Sequence, residues 1–394
     1  MSFFRDLTLS AATAGFVAVL VGFTSSVAIV FQAAQAFGAT PAQITSWMWA
    51  LGLGMGLASA IPSLILKQPV MIAWSTPGAA VLATAGVTGG FSMAEAIGAF
   101  MVCGALITLA GATGWFERVM NRIPVAIASA LLAGVLARFG LQAFAAAETG
   151  LMLIVLMLLA YLLGRRLAPR YAVVITLAVG VAHVLATDRF DAAALTLELA
   201  MPVFTMPQFT LAALTSLALP LFVVTMASQN LPGVAAIRSA GYHQMPMSRI
   251  ITLTGVATLV LAPFGAFALN LSAITAAICM GPEVHPDPKK RYTATVVSGL
   301  LYTAIGLVGA AVTGLLLAFP RELVMGIAGI ALLGSIGGGL HMALKDDDHR
   351  EAALITFLVT LSGVVIAGIG SAFWGVVAGA LALFVQQYAL KSPK

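Results

Sequence analysis

The residues able to do chemistry in this chain are hydroxyls and amides set inside long apolar runs. One stretch, residues 68–80, gathers several of them. Val70 to Trp74 is apolar and can be extended, and Ser75-Thr76-Pro77-Gly78 follows. Ser or Thr before Pro is a helix-start signal, because the hydroxyl caps orphan N–H groups and Pro fits the first turn. The apolar run that follows, to about Val87, is roughly half the ~20 residues a membrane-crossing helix needs. The spacing predicts an extended segment followed by a helix starting within the bilayer. Such a terminus offers N–H groups and about half a positive charge, which suits an anion.

A second stretch, Phe264 to Gly281, has the same character. Asn270 or Ser272 is expected to cap a half-helix ending near Gly281, with Phe267 and Leu271 beside it. A third, Thr225 to Gly233, sets Ser228, Gln229 and Asn230 near a Pro-Gly pair. Adjacent amides supply donors and acceptors for a carboxylate, although Asn230-Leu-Pro-Gly also reads as a simple helix end. Thr24, Ser25 and Ser26 lie midway along another apolar run, where hydroxyls also bond back to their own backbone.

The elements that must position these residues follow from composition. The 394 residues are 61% hydrophobic and 8% charged, against about a quarter charged in soluble domains. The chain is therefore a polytopic membrane protein, and its net charge of +5 does not imply nucleic acid. The first forty residues mimic a signal peptide, but the run from Leu9 to Phe31 is long enough to span and is expected to be a retained first helix. Cys103 and Cys279 sit in apolar runs and read as buried hydrophobes. No phosphate-binding Gly-x-x-x-x-Gly-Lys loop and no zinc-spaced Cys/His set occurs, so neither cofactor nor metal is expected.

Fourteen apolar segments can be drawn, at about 9–34, 44–66, 69–87, 92–114, 124–146, 150–164, 171–187, 208–231, 249–263, 264–281, 293–319, 321–343, 352–369 and 371–389. With the N-terminus in the cytoplasm, all 19 basic residues fall inside except Arg189 and Arg321, which fall outside, and Arg138, within the fifth segment. That obeys the positive-inside rule. Ser75 and Asn270, Pro124 and Pro320, and Leu9 and Leu211 pair at separations of about 195–202 residues. Seven segments separate each pair, so the copies have opposite topology, a 7+7 inverted repeat.

Charged residues near segments have local readings. Ser92 and Glu95 form a capping box, Arg138 snorkels, His183 and His341 are interfacial, and Glu283 to Asp287 is a solvated loop. Gly326, Gly329, Gly334 and Gly337 to Gly339 suit close helix packing.

The chain resembles the benzoate/proton symporter family of the BenE type over nearly its whole length. The resemblance is carried by Gly22-Phe-Thr-Ser-Ser26, Ala73-Trp-Ser-Thr-Pro-Gly-Ala79, Val224-Thr-Met-Ala-Ser-Gln-Asn230, Ala273 to Ile278 with Pro282 to Asp287, and Gly368-Ile-Gly-Ser-Ala-Phe-Trp-Gly375. That family is similar in fold to uracil-permease-like and sulfate-type transporters. The resemblance implies an all-α protein with broken segments 3 and 10. It implies core domains at 1–116 and 208–319 and gate domains at 117–207 and 320–394.

It also implies proton-coupled import of benzoate or a related aromatic carboxylate across a bacterial inner membrane, with both termini cytoplasmic. The expected partners are the carboxylate, protons and lipid, with a homodimer compatible. The carboxylate would meet Ser75, Thr76, Gly78, Asn270 and Ser272, with Gln229, Asn230, Ser25 and Ser26 nearby. The ring would meet Trp74, Phe267 or Leu271. Nucleobase transporters of this fold carry acids in segments 8 and 10; here those regions hold Met226 to Asn230 and Asn270, which removes anion repulsion. The alternatives are a nucleobase or inorganic-anion transporter, an intramembrane enzyme, or a channel.

Overall fold

A computed structural model describes residues 2–24, 26–120, 123–190, 200–308, 318–364, 366 and 371–389. In chain order come α1 (Leu9–Thr24), α2 (Val27–Ala36), α3 (Pro41–Leu66), strand β1 (Ile72–Trp74), α4 (Thr76–Gly89) and α5 (Met93–Ala112). Then follow α6 (Val125–Ala145), α7 (Ala147–Leu167), α8 (Ala172–Ala186), α9 (Leu211–Ser239), α10 (Met247–Leu261), β2 (Leu269–Leu271) and α11 (Ile274–Met280). The chain closes with α12 (Tyr292–Val308), α13 (Arg321–Leu344), α14 (Arg350–Ser362) and α15 (Ser371–Ala389).

Among the described residues, seven helices are long and apolar enough to cross a membrane: Pro41–Leu66, Met93–Ala112, Val125–Ala145, Ala147–Leu167, Leu211–Ser239, Met247–Phe264 and Arg321–Leu344. This is a mostly helical, multi-pass membrane protein. Several of the fourteen apolar segments form shorter or interrupted helices instead. The first is split, because α1 ends at Thr24 and α2 begins at Val27.

The two broken segments have the extended stretches expected of them, at Ile72–Trp74 and Leu269–Leu271. The extended halves of the two broken segments pair as an antiparallel ribbon, with Ile72 opposite Leu271, Ala73 opposite Asn270 and Trp74 opposite Leu269. A two-stranded ribbon satisfies only part of its own backbone, and an unpaired N–H inside apolar surroundings costs several kcal/mol. Flanking helices supply the rest. Ser59 of α3 accepts from Ile72 N–H at 2.9 Å, and Ser63 accepts from Val70 N–H at 3.0 Å. Thr258 of α10 accepts from Leu269 N–H, and Asn230 of α9 accepts from Leu271 N–H, both at 2.9 Å. Ser75 N–H and Ser272 N–H donate along the ribbon ends, to Ala268 and Met71 carbonyls.

Helix α9 carries two π-helical turns, Leu214–Ala218 and Met226–Asn230, each followed within two residues by a proline, Pro220 and Pro232. Proline cannot donate to the carbonyl four residues back and its ring displaces it; the wider turn absorbs the displacement. The helix therefore continues through Pro232 to Ser239, and Gln229 lies inside it rather than at an end. Helix α3 packs on α12, α5 on α10, and α6 on α13.

Candidate functional site

A cavity of about 340 Å³ opens beside the ribbon. One wall is built from the broken segments: Ala73 and Trp74 of β1, Thr76 and Pro77 of α4, and Ser272, Ile274 and Thr275 around the start of α11. Val21, Gly22 and Ser26 come from the α1–α2 break, Gln229 from the π turn of α9, and Tyr302 from α12. The facing wall is Phe139 and Gln142 of α6 with Arg321 and Met325 of α13. Among the described residues, Arg321 is the only charged side chain in this lining, and no acid is in it.

Ser75 caps α4, its hydroxyl accepting from Gly78 N–H at 3.1 Å and from the Thr225 hydroxyl at 2.9 Å. It is fully buried, so its work is to hold the helix start in place. That leaves Thr76 at the cavity face. Gly78 allows close approach of α9, since a methyl there would sit 2.6 Å from Leu221 Cδ1. The Trp74 indole N–H donates to the Ser26 hydroxyl at 2.9 Å, and Ser26 donates to the Gly22 carbonyl at 3.0 Å. The Trp74 ring is thereby fixed as an apolar wall, tilted against Phe23 at 5.6 Å between centroids.

Of the sequence-derived candidates, Trp74, Thr76, Gln229, Ser272 and Ser26 line this cavity. Ser25 lies outside the described residues. Four others have different surroundings. Phe267 packs with Trp47 and Phe100 in a buried aromatic cluster, at 5.8 and 6.0 Å. Leu271 packs against Gly233.

Asn230 is fully buried, its amide oxygen holding Leu271 N–H and its NH2 directed to the Met226 sulfur at 3.1 Å. Asn270 does not cap α11. It sits in β2, donating to the Ala268 carbonyl at 3.1 Å, and its buried Oδ1 has no hydrogen-bond partner among the described residues. The residue preceding α11 is Ala273, with no side-chain cap. Ser272 instead accepts from the Thr275 hydroxyl at 2.6 Å. Replacing Asn230 by Ala is expected to destabilise the fold by roughly 1–3 kcal/mol, because Leu271 N–H loses its acceptor. Thermal unfolding in detergent, with and without substrate, checks this: a lowered midpoint with intact substrate stabilisation is expected.

Arg321, Gln142, Phe139, Thr275 and Tyr302 were not singled out from sequence. Arg321 carried a readable signal. It opens a helix directly after Pro320, and a cation at a helix N-terminus opposes the dipole, which asks for a reason elsewhere. The neighbouring Glu322 pairs with Arg189 at 3.0 Å, whereas Arg321 makes no ion pair among the described residues. The Tyr302 hydroxyl reaches the cavity wall because position 22 is Gly; a methyl there would be 2.6 Å from it.

Other charged residues keep structural roles. Glu95 closes the capping box with Ser92 and accepts from the Thr210 hydroxyl at 2.9 Å. The Arg138 guanidinium lies over Gly363 at the end of α14. Both cysteines are buried and free.

Residues 5–385 match the family described as "Benzoate membrane transport protein", BenE. The chain belongs to the BenE family. It is 48% identical to the inner membrane protein YdcO of Escherichia coli K12, over 94% of each chain. It is 38% identical to the benzoate membrane transport protein of Acinetobacter baylyi, over 97% of this chain and 96% of that one. This BenE-family chain is thus related to transport proteins, not enzymes. Its fold is similar to that of SLC26A9, with a TM-score of 0.51 and 10% identity over 94% of this chain and 67% of that one. The transmembrane domain of the cyanobacterial bicarbonate transporter BicA aligns over 98% of this chain and 97% of that one, with a TM-score of 0.44 and 13% identity.

Proposed function

We propose that this BenE-family protein is a secondary transporter that imports benzoate, or a related aromatic carboxylate, with protons across a bacterial inner membrane. The observation that carries this reading is the cavity lining, which among the described residues has one cation, no acid, hydroxyls and two amides, and aromatic walls at Trp74 and Phe139. A carboxylate is matched by Arg321 together with the polar groups of Thr76, Gln229 and Ser272. A ring is matched by the apolar remainder. Family membership supports benzoate as the first substrate to test.

The fourteen-segment inverted repeat is part of the proposal. The antiparallel ribbon supports it, since two equivalent strands running in opposite directions are what opposed copies would give. In this reading residues 1–116 and 208–319 form a core, and 117–207 and 320–394 form a gate. The two walls of the cavity then belong to different domains, and movement of core against gate exposes the site alternately. The N- and C-termini are cytoplasmic in this orientation, and Arg321 is at the outer mouth.

Among the described residues no acid lines the cavity, and in this reading the proton travels with the substrate's own carboxylate or through water. Protonation weakens the hold of a cation on the carboxylate and favours release. The test is uptake of radiolabelled benzoate into proteoliposomes under separate pH and sodium gradients, with uracil and sulfate as competitors. Uptake that follows the pH gradient and yields only to aromatic acids is expected. Uptake that follows sodium and ignores pH overturns proton coupling, and competition by uracil or sulfate overturns the substrate class. Neutralising Glu95, His183, His341 or Glu283 singly should leave the pH dependence intact.

A further inference from the structure

A second cavity, of about 330 Å³, lies at the other end of α11. Ile274 and Thr275 at the start of this seven-residue helix touch the first cavity, and Met280 at its end touches the second. Ala277, between them, also lines the second cavity, so the two linings come within two residues, about 3 Å of axial rise, along this helix. Gly281 and Arg291 line one side of the second cavity, and Leu132 of α6 with Gly334 and Gly338 of α13 line the other. Both cavities therefore open between the same two groups of helices.

The end of a helix is a poor surface for an anion to pass. Its carbonyls are unpaired and carry about half a negative charge. Arg291 changes this. The residue is 9% exposed, and its guanidinium donates through one terminal nitrogen to the Met280 carbonyl at 2.8 Å and through Nε to the His285 carbonyl at 2.9 Å. A full positive charge laid over half a negative one leaves an attractive field in the cavity. No carboxylate pairs with Arg291 among the described residues.

Glu283 lines a small neighbouring cavity rather than this one, with its carboxylate close to where side chains at Gly281 and Gly334 would begin. It is held at 2.7 Å by Arg165, which offsets its charge. Tyr242 donates its hydroxyl to the Pro288 carbonyl at 2.8 Å, steadying the loop that leads to Arg291. Burial pushes the Tyr242 phenol up to about 12, so it remains a neutral donor.

We infer that the Arg291 cavity is a second carboxylate station, occupied by the substrate between the central cavity and the cytoplasm. The identity of the ligand rests on the proposed function; the station itself rests on the cavity and its buried cation. A cation here gives an anion leaving the first cavity a favourable next position, where bare carbonyls would turn it back.

Cysteine protection tests this. A side chain at position 338 meets no heavy atom within 4 Å, so Gly338→Cys places a thiol in the cavity, and the two native cysteines are buried. In inside-out vesicles, benzoate is expected to slow labelling of this thiol by a membrane-impermeant reagent. Adding Arg291→Gln should raise the half-protecting benzoate concentration about tenfold, the scale of a lost charged hydrogen bond. That shift should exceed the shift in half-saturation for uptake from the outer face.

Arg291→Lys, which keeps the charge but not the forked grip on two carbonyls, should restore most of the protection. Unaltered protection in Arg291→Gln, equal shifts at both faces, or failure of the Lys variant to restore protection would each overturn the station. If Arg291→Gln does not accumulate, Gly338→Leu serves instead. It should fill the cavity and weaken inhibition of uptake by internal benzoate, and unchanged inhibition overturns the inference. Uptake without protection in the Gly338→Cys protein removes the second station alone. Absence of benzoate uptake by the unmodified protein removes the proposed substrate.

Discussion

Replacing Arg321 by Gln is expected to raise the half-saturating benzoate concentration for uptake about tenfold at low ionic strength. A charged hydrogen bond is worth roughly 1.5–3 kcal/mol, and an exposed ion pair under about 1 kcal/mol. Arg321 is solvent-exposed but lines a cavity with largely apolar walls, which puts its effect between those limits. Salt should shrink the difference, because an exposed charge is screened within about 10 Å at 0.1 M. Arg321→Lys keeps the charge but not the planar fork that matches a carboxylate, so it should recover part of the affinity. Equal half-saturation in wild type and Arg321→Gln at every salt concentration would remove Arg321 from the site.

Replacing Gly56 by Leu is expected to abolish accumulation of folded protein. Helices α3 and α12 cross at backbone contact there. A methyl on Gly56 would stand 2.6 Å from the Gly299 carbonyl oxygen and 2.7 Å from Thr303 N. Gly52 faces Gly306 in the same way, at 2.6 Å. Helix α3 cannot yield locally, because it also carries Ser59 and Ser63, the acceptors for the Ile72 and Val70 N–H groups. Separating α3 from α12 would therefore disturb the ribbon and the cavity wall together. Small residues at such crossings are what let membrane helices associate at all. Size-exclusion profiles of a fluorescent fusion in detergent measure the outcome. A monodisperse peak of wild-type height for Gly56→Leu would refute the argument.

Much of the fold was legible wherever a decision is local. Ser75-Thr76-Pro77-Gly78 starts a helix because a hydroxyl, a proline and a glycine act on backbone groups within three residues of one another. The break in the segment containing Asn270 was legible for the same reason. Its start was misread, with Ala273 and not Asn270 or Ser272 in the preceding position. The membrane class followed from composition alone, since 8% charge cannot coat a soluble surface of this size.

What sequence could not assign was which face of each helix meets which partner. Helices that are apolar all round carry no stripe to mark their buried side. Phe267 and Trp74 were therefore indistinguishable as ring contacts, yet one lies in a sealed aromatic cluster and the other lines the cavity. Gln229 and Asn230 are adjacent, but successive side chains leave a helix in different directions. One faces the cavity while the other is used up on Leu271 N–H.

By itself, then, the sequence determined a membrane-embedded helical chain, the capped start of α4 and an interruption before α11. Those features depend on transfer free energy and on backbone groups a few residues apart. Tertiary structure decided that residues 73 and 270 pair, that Asn230 holds the ribbon at Leu271, and that Arg321 and Thr76 line one cavity. These are contacts between segments far apart in the chain, selected by packing and by the need to satisfy every buried N–H, and no local pattern of residues encodes them.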